Sequence, residues 1–299
     1  TISSLKGFYP MTLHWISLES GKSISVLLDL LDVFPGDGVG KRVGQALFLR
    51  LKSFGISSRL LSTTSNGASE SLVASKELAR LLLSHHEQDI LQPSHMLRCM
   101  VHTCELGVKS AIEVITHPTM KLRKTLHSIR TSKVGRAIFK KYSKNMHENG
   151  EQEPPCLDCV TRWNSTLVMY QQALKFKDVL SYTVSDKAIA HEFEDHTLSI
   201  EDWNHIQSME QWLLVPAVIC NYISGLKYPT LSLAALAFKR LLSHCNNYIS
   251  MDMDSIESPS ERITLQVQQE ASNKCVQYLI EYQESLNSIP SRITMFLDP

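Results

Sequence analysis

Over the first hundred residues the apolar positions recur at a period of two and then at a helical period. The stretches "MTLHWIS" (residues 11–17) and "SISVLLDLLDV" (residues 23–33) read as two strands. The polar link between them carries Glu19-Ser20-Gly21, good hairpin-turn chemistry. "FPGDG" (residues 34–38) breaks the second strand. Val39, Val43, Ala46/Leu47, Arg50/Leu51 and Phe54 then share one helical face until Gly55 closes the helix. "RLLSTT" (residues 59–64) is a short buried strand candidate, "ASESLVASKELARLLLS" another helix, and "HMLRCMV" a last short strand running into "HTCELGVKSAIEVI". The order ββαβαβα predicts a mixed α/β sheet with helices on its faces.

From Met120 onward only helical spacing recurs. "MKLRKTLHSIRTSKVGRAIFKKYSK" is helical and basic, and "MHENGEQEPPC" is an acidic, Pro-containing connector near 147–156. Asn164, Ser165 and Thr166 are N-cap residues for a helix carrying Met169, Ala173, Phe176 and Leu180. A further helix bears Trp203, Ile206, Trp212 and Leu213 and halts near Pro216; "PAVICNYISGLKYPT" ends on Gly225. Two more carry Leu233, Leu236, Ala237 and Leu241, then Ile263, Val267, Ala271, Cys275 and Tyr278. Between those two, "SMDMDSIESPS" (residues 250–260) is polar and is expected to be mobile. The predicted organisation is an α/β domain over residues 1–117 and an all-α domain over residues 118–299.

Composition narrows this picture. With 299 residues and 43% apolar content the chain can bury a full core. Thirty basic and thirty acidic residues cancel, so a nucleic-acid surface would have to be a local patch. The sequence contains no apolar run long enough for a membrane span and no signal-peptide pattern, and seven cysteines at irregular spacing fit reduced thiols. The expected setting is intracellular, nuclear or cytoplasmic.

Seven blocks, "MTLHWIS", "LLDLLDVFPGDGVGKRVGQAL", "STTSNGASE", "RCMVHTCELGVKSAI", "TRWNSTLVMYQQALKF", "SGLKYPTLSLAALAF" and the terminal "MFLDP", stand in an order that resembles the hAT superfamily of cut-and-paste DNA transposases and their domesticated derivatives. The resemblance covers almost all of the chain. It implies a partial RNase H-like mixed sheet with flanking helices, followed by a large helical insertion domain.

In that fold, strand cutting and joining need three carboxylates that hold two divalent metal ions, Mg2+ or Mn2+. The resemblance places the first Asp ahead of residue 1 and the third acid, a Glu, beyond Pro299. The second Asp belongs to a block that here reads Thr63-Thr64-Ser65-Asn66-Gly67-Ala68-Ser69, so Ser65 occupies the position of a catalytic carboxylate. A neutral hydroxyl cannot replace that ligand. In the block holding Cys99 and His102, Glu105 stands where the family usually has Asn. The family's N-terminal BED-type zinc finger and C-terminal dimerisation segment fall outside the chain, which leaves the oligomeric state open. The reading is a catalytically inactive transposase-derived protein, with residual DNA binding as its candidate activity and no cofactor. Two alternatives stand beside it. One is a fragment of an active transposase, cutting and joining DNA with two divalent metals, whose missing parts lie outside the chain or whose Ser65 is offset by a neighbour such as Glu70 or Asp29. The other is a helical protein-interaction module.

Several residues carry two readings each. Lys121, Arg123, Lys124, Arg130, Lys133, Arg136, Lys140, Lys141 and Lys144 follow one another without an acid. They suit backbone phosphates or are simply a solvated helix face. Arg162-Trp163 either packs or handles an unpaired base, the ring stacking while the guanidinium holds phosphate; the family resemblance implies the second. The nucleic-acid candidates are therefore Arg162, Trp163, Lys140, Lys141, Arg136 and Lys133. Cys99, His102 and Cys104 lack a fourth ligand at zinc spacing, and Cys156-Leu-Asp-Cys159 lacks a partner motif, so no metal is assigned to either. Gly36, Gly38, Gly40 and Gly44 lack the lysine of a phosphate loop.

Overall fold

The computed structural model describes residues 7–34, 36–85, 96–146, 150–160, 162–224 and 231–286. Strands β1 (Gly7–Ile16) and β2 (Ser23–Val33) form an antiparallel hairpin. Its turn is closed by Ser17 and Lys22 and contains Gly21 at φ +64°. The register passes from Met11↔Asp29 to Thr12↔Leu27, so Leu28 is the extra residue of a β-bulge. Beyond it Asp29, Leu31 and Val33 share one face, and Leu31 and Val33 join Val39, Val43 and Ala74 in the core.

Helix α1 (Val39–Ser53) ends on Gly55 at φ +66°. The Gly55 and Ile56 amides donate to the Lys52 and Leu51 carbonyls, a Schellman stop. Helix α2 (Ser69–Ser84) crosses α1 very closely. A Cβ on Gly40 would lie 2.6 Å from the Glu70 carbonyl oxygen, and one on Gly44 2.6 Å from that of Ala74. These two glycines therefore serve helix packing.

Strands β3 (Thr63–Ser65) and β4 (Met96–Arg98) pair in parallel. The expected single mixed sheet is corrected here: among the described residues the four strands make two separate two-stranded sheets. The apolar run near Leu60 is spent on a 3-10 turn at Ser57–Arg59 and an extended link, which leaves only three residues for the ladder.

No strand follows Arg98 among the described residues. Helices α3 (Met100–Ile112), α4 (Thr116–Thr131), α5 (Lys133–Met146), α6 (Trp163–Lys175), α7 (Lys177–Val184), α8 (Ile200–Ile223), α9 (Leu231–Ile249) and α10 (Pro259–Leu286) complete the chain. Where one basic helix was expected, two form, because Ser132 leaves the helical region and its hydroxyl accepts from the Gly135 amide, an N-cap. The helix expected to start near Thr166 begins at Trp163 and stops at Phe176, and α7 carries Leu180. Phe176 meets Phe139 edge-on, ring centroids 5.7 Å apart. The polar stretch at 250–260 is tied down where Gln269 Nε2 donates to the Met251 and Tyr248 carbonyls. Gly225 lies outside the described residues.

Helix α8 does not halt at Pro216 but runs through it. Proline cannot donate to the carbonyl four residues earlier, that of Trp212. His244 Nε2 of α9 takes the vacated place, 3.0 Å from the Trp212 oxygen. A carbonyl only accepts, so Nε2 carries the proton. The Trp212 indole in turn donates to Ser272 Oγ of α10 at 2.9 Å.

The described residues fall into two compact sets. Those within Thr1–Thr103, Cys220–Lys239 and Leu279–Pro299 form the first, and those within Cys104–Ile219 and Arg240–Tyr278 the second. Leu122, Leu126, Ile129, Phe139, Tyr170 and Trp212 are among the fully buried side chains of the second. No helix of the described residues is long and apolar enough to cross a membrane.

Candidate nucleic-acid interface and the strand-end loop

Ser65 is the last residue of β3, half-buried, and its carbonyl accepts from the Cys99 amide at 2.7 Å. The loop after it is shaped by Asn66, whose Oδ1 accepts from the Ala68 amide and the Ser71 hydroxyl. Gly67 sits at φ +74°, which a side chain would disfavour. The loop is thus a well-defined strand-to-helix corner, but it presents a hydroxyl and an amide.

Asp29 and Glu70, the acids considered beside Ser65, belong to no group of three metal-ligating side chains among the described residues. Asp29 is engaged by the Arg50 guanidinium and accepts from the Leu30 amide. Glu70 is exposed in the first turn of α2. Two divalent cations require several hard oxygen ligands converging on one point. Among the described residues no group of three His, Cys, Asp or Glu could hold a metal ion, so the donor set present does not fit a two-metal centre. Cys104 is buried and Cys99 half-buried, whereas Cys156 and Cys159 are exposed, and all four are reduced thiols.

On α5, Lys133, Arg136, Lys140 and Lys144 fall three, seven and eleven positions along from the first, one face of a 3.6-residue helix, with Lys141 at its border. Lys133, Arg136, Lys141 and Lys144 are exposed. Lys140 is not free: its Nζ lies 2.5 Å from Glu153 and 3.3 Å from Glu151 of the acidic connector. Hydrogen bonding to Glu153, then to Glu151, raises the Lys140 ammonium above its ordinary range, and the bond from Lys140 lowers the Glu153 carboxyl.

Three of the four lysines and arginines of α4 have internal partners, and Lys124 is exposed. Lys121 reaches Asp202 at 2.8 Å. Arg130 Nη1 donates to the Pro154 carbonyl at 2.7 Å. Arg123 grips Asp158 with two parallel bonds, 2.9 Å from Nε and 2.6 Å from Nη2, and Thr166 donates to the same carboxylate at 2.7 Å. Only 1% of the Asp158 side chain is exposed. Burial opposes its ionisation, but the guanidinium and hydroxyl outweigh burial and hold its carboxyl below the usual range. Nearby, Thr119 donates to the Ile115 carbonyl, so the buried Tyr170 hydroxyl donates to Thr119 Oγ1 at 2.6 Å. Burial drives the Tyr170 phenol strongly upward.

Arg162 and Trp163 point apart. Arg162 is extended and exposed, whereas Trp163, the first residue of α6, is 2% exposed. The Ser165 hydroxyl locks this entry by accepting from the Cys159 amide at 2.8 Å. A buried ring offers no face to a base, so the stacking expectation for Trp163 is corrected to packing. Glu151 and Glu153 belong to the acidic connector visible in the sequence, but their pairing with Lys140 and the partners Asp158 and Asp202 are not signalled by the basic run, and Asp202 lies far along the chain from it.

Residues 97–212 match the family model of the ZBED1 RNase-like helical domain. The match runs from β4 to the middle of α8, and over that span the chain is similar to a domain of hAT- and ZBED-related, transposase-derived proteins. Comparison with curated proteins finds no match.

Proposed function

We propose that this chain is a transposase-derived protein that no longer cuts or joins DNA and that contacts nucleic-acid backbones through the outer face of α5. The observation that carries the reading is the run Lys133, Arg136, Lys141 and Lys144, exposed around one helix face that contains no acid. Such a face neutralises phosphates and reads no bases. Exposed Arg162 is a further phosphate candidate, and the burial of Trp163 argues against its serving as a stacking platform. Ser65 at the strand end and the pairing of Asp29 with Arg50 support the loss of chemistry. The similarity of residues 97–212 to a transposase-derived helical domain supports nucleic acid as the partner.

Fluorescence anisotropy with single-stranded, duplex and hairpin-ended oligonucleotides across a salt series tests this function. Affinity should fall steeply with salt for all three. Replacing Lys133, Arg136, Lys141 and Lys144 together by Gln should abolish binding without unfolding the protein. Strand nicking in Mg2+ or Mn2+, removed by a substitution in this chain, would overturn the inactive reading and favour an active transposase.

A further inference from the structure

We propose that residues 150–155 form an acidic strap that masks the centre of the α5 basic face, so that a polyanion and the strap compete for Lys140. This regulation rests on the reading of α5 as a nucleic-acid interface. Lys140 lies one turn beyond Arg136 and one turn before Lys144, and it is the member of the face that Glu151 and Glu153 engage. The fields of Arg136 and Arg130 also act on Glu153, so its charge is felt along the basic face as well as at Lys140.

The strap is anchored by bonds that do not involve its acids. The Gln152 amide donates to Ser143 Oγ at 3.0 Å. Arg130 holds the carbonyls of Pro154 and Pro155 at 2.7 and 3.3 Å, and both prolines are buried. These anchors on the strap's backbone keep the acids beside Lys140 at high effective concentration. The Glu151 and Glu153 side chains themselves are 55% and 69% exposed, and ion pairs so exposed contribute little to folding. Their chief effect is therefore electrostatic. A phosphate approaching the face displaces two carboxylates by side-chain rotation alone, with the backbone of the strap in place.

The test compares wild type with the Glu151→Gln/Glu153→Gln variant in anisotropy titrations of a mixed-sequence duplex oligonucleotide. Freeing one cation should tighten binding about fivefold to tenfold near 0.1 M salt and steepen the salt dependence by about 0.9 in slope. Adding Lys140→Gln to that variant should remove most of the gain in affinity and slope, while Lys140→Gln in wild type, which leaves Glu151 and Glu153 unpaired beside the face, should weaken binding below the wild-type level. Thermal midpoints should stay together throughout. Equal affinity and slope for wild type and the double variant would overturn the strap and leave the interface standing. Failure of both proteins to bind at about 50 mM salt would overturn the interface itself.

Discussion

Substituting His244 by Phe removes one hydrogen-bond donor while keeping a ring against Trp212 and Tyr248, whose centroids lie 5.4 and 5.2 Å from that of the imidazole. In α8 the Trp212 carbonyl has no amide at residue 216 to accept from, so the loss of Nε2–H leaves it orphaned. A buried acceptor without a partner costs about 1–3 kcal/mol, and that is the destabilisation expected in urea unfolding. Pro216→Ala provides the decisive control. That substitution restores a backbone amide that reaches the Trp212 oxygen within the helix, so His244→Phe in that background should cost about 1–2 kcal/mol less than it does alone. Protonation adds a second readout. Burial lowers the His244 imidazole below its ordinary range, the bond to Trp212 opposing it only in part. The unfolded chain therefore binds the proton more readily. The contribution is complete above about pH 6.5 and is lost as pH falls through the lower folded value. His244→Phe should flatten that part of the stability profile. Strict additivity of the two substitutions, together with an unchanged pH profile, would refute the donor-replacement argument.

Gly44→Ala should destabilise by about 1–3 kcal/mol, although alanine is the better helix former, because its methyl would stand 2.6 Å from a backbone oxygen and 2.8 Å from Glu77 Cβ; a higher urea midpoint would mean that α1 and α2 do not cross there. Trp163→Ala should cost about 3–5 kcal/mol of stability and leave oligonucleotide affinity unchanged under conditions where the variant stays folded; a selective loss of single-strand binding would restore the stacking role. Asp158→Asn breaks a buried bidentate pair and should cost about 3 kcal/mol at neutral pH. Because the Asp158 carboxyl is held low, its contribution is present above about pH 3.9 and disappears as pH falls through the folded value, so acid titration followed by circular dichroism should show a flatter acid limb in the variant.

The parts of the fold legible in the sequence are those decided within one turn or one ladder. The period-two stretches at 11–17 and 23–33 pair as a hairpin, and α1 begins and ends where Val39 and Gly55 indicate, because dihedral preference and local burial act there together. Pro216 shows where such rules fail. Its missing amide should end a helix, yet a donor from α9, far along the chain, satisfies the abandoned carbonyl. No window around residue 216 contains that information.

Charge behaves the same way. The run from Lys121 to Lys144 reads as one uniform basic surface because its partners lie outside it: Asp158 for Arg123, Asp202 for Lys121, and Glu151 with Glu153 for Lys140. Pairing divides the run by helix. On α4 the partners are largely buried carboxylates and backbone carbonyls, so those cations stabilise the fold. On α5 they are exposed glutamates, which a phosphate can displace. Arg162 and Trp163 divide similarly across a single peptide bond, since the first precedes α6 in extended conformation and the second opens it facing inward. A dipeptide that looks like one functional motif is then a surface cation followed by a core ring, and substituting the two residues separately should alter binding in the first case and stability in the second.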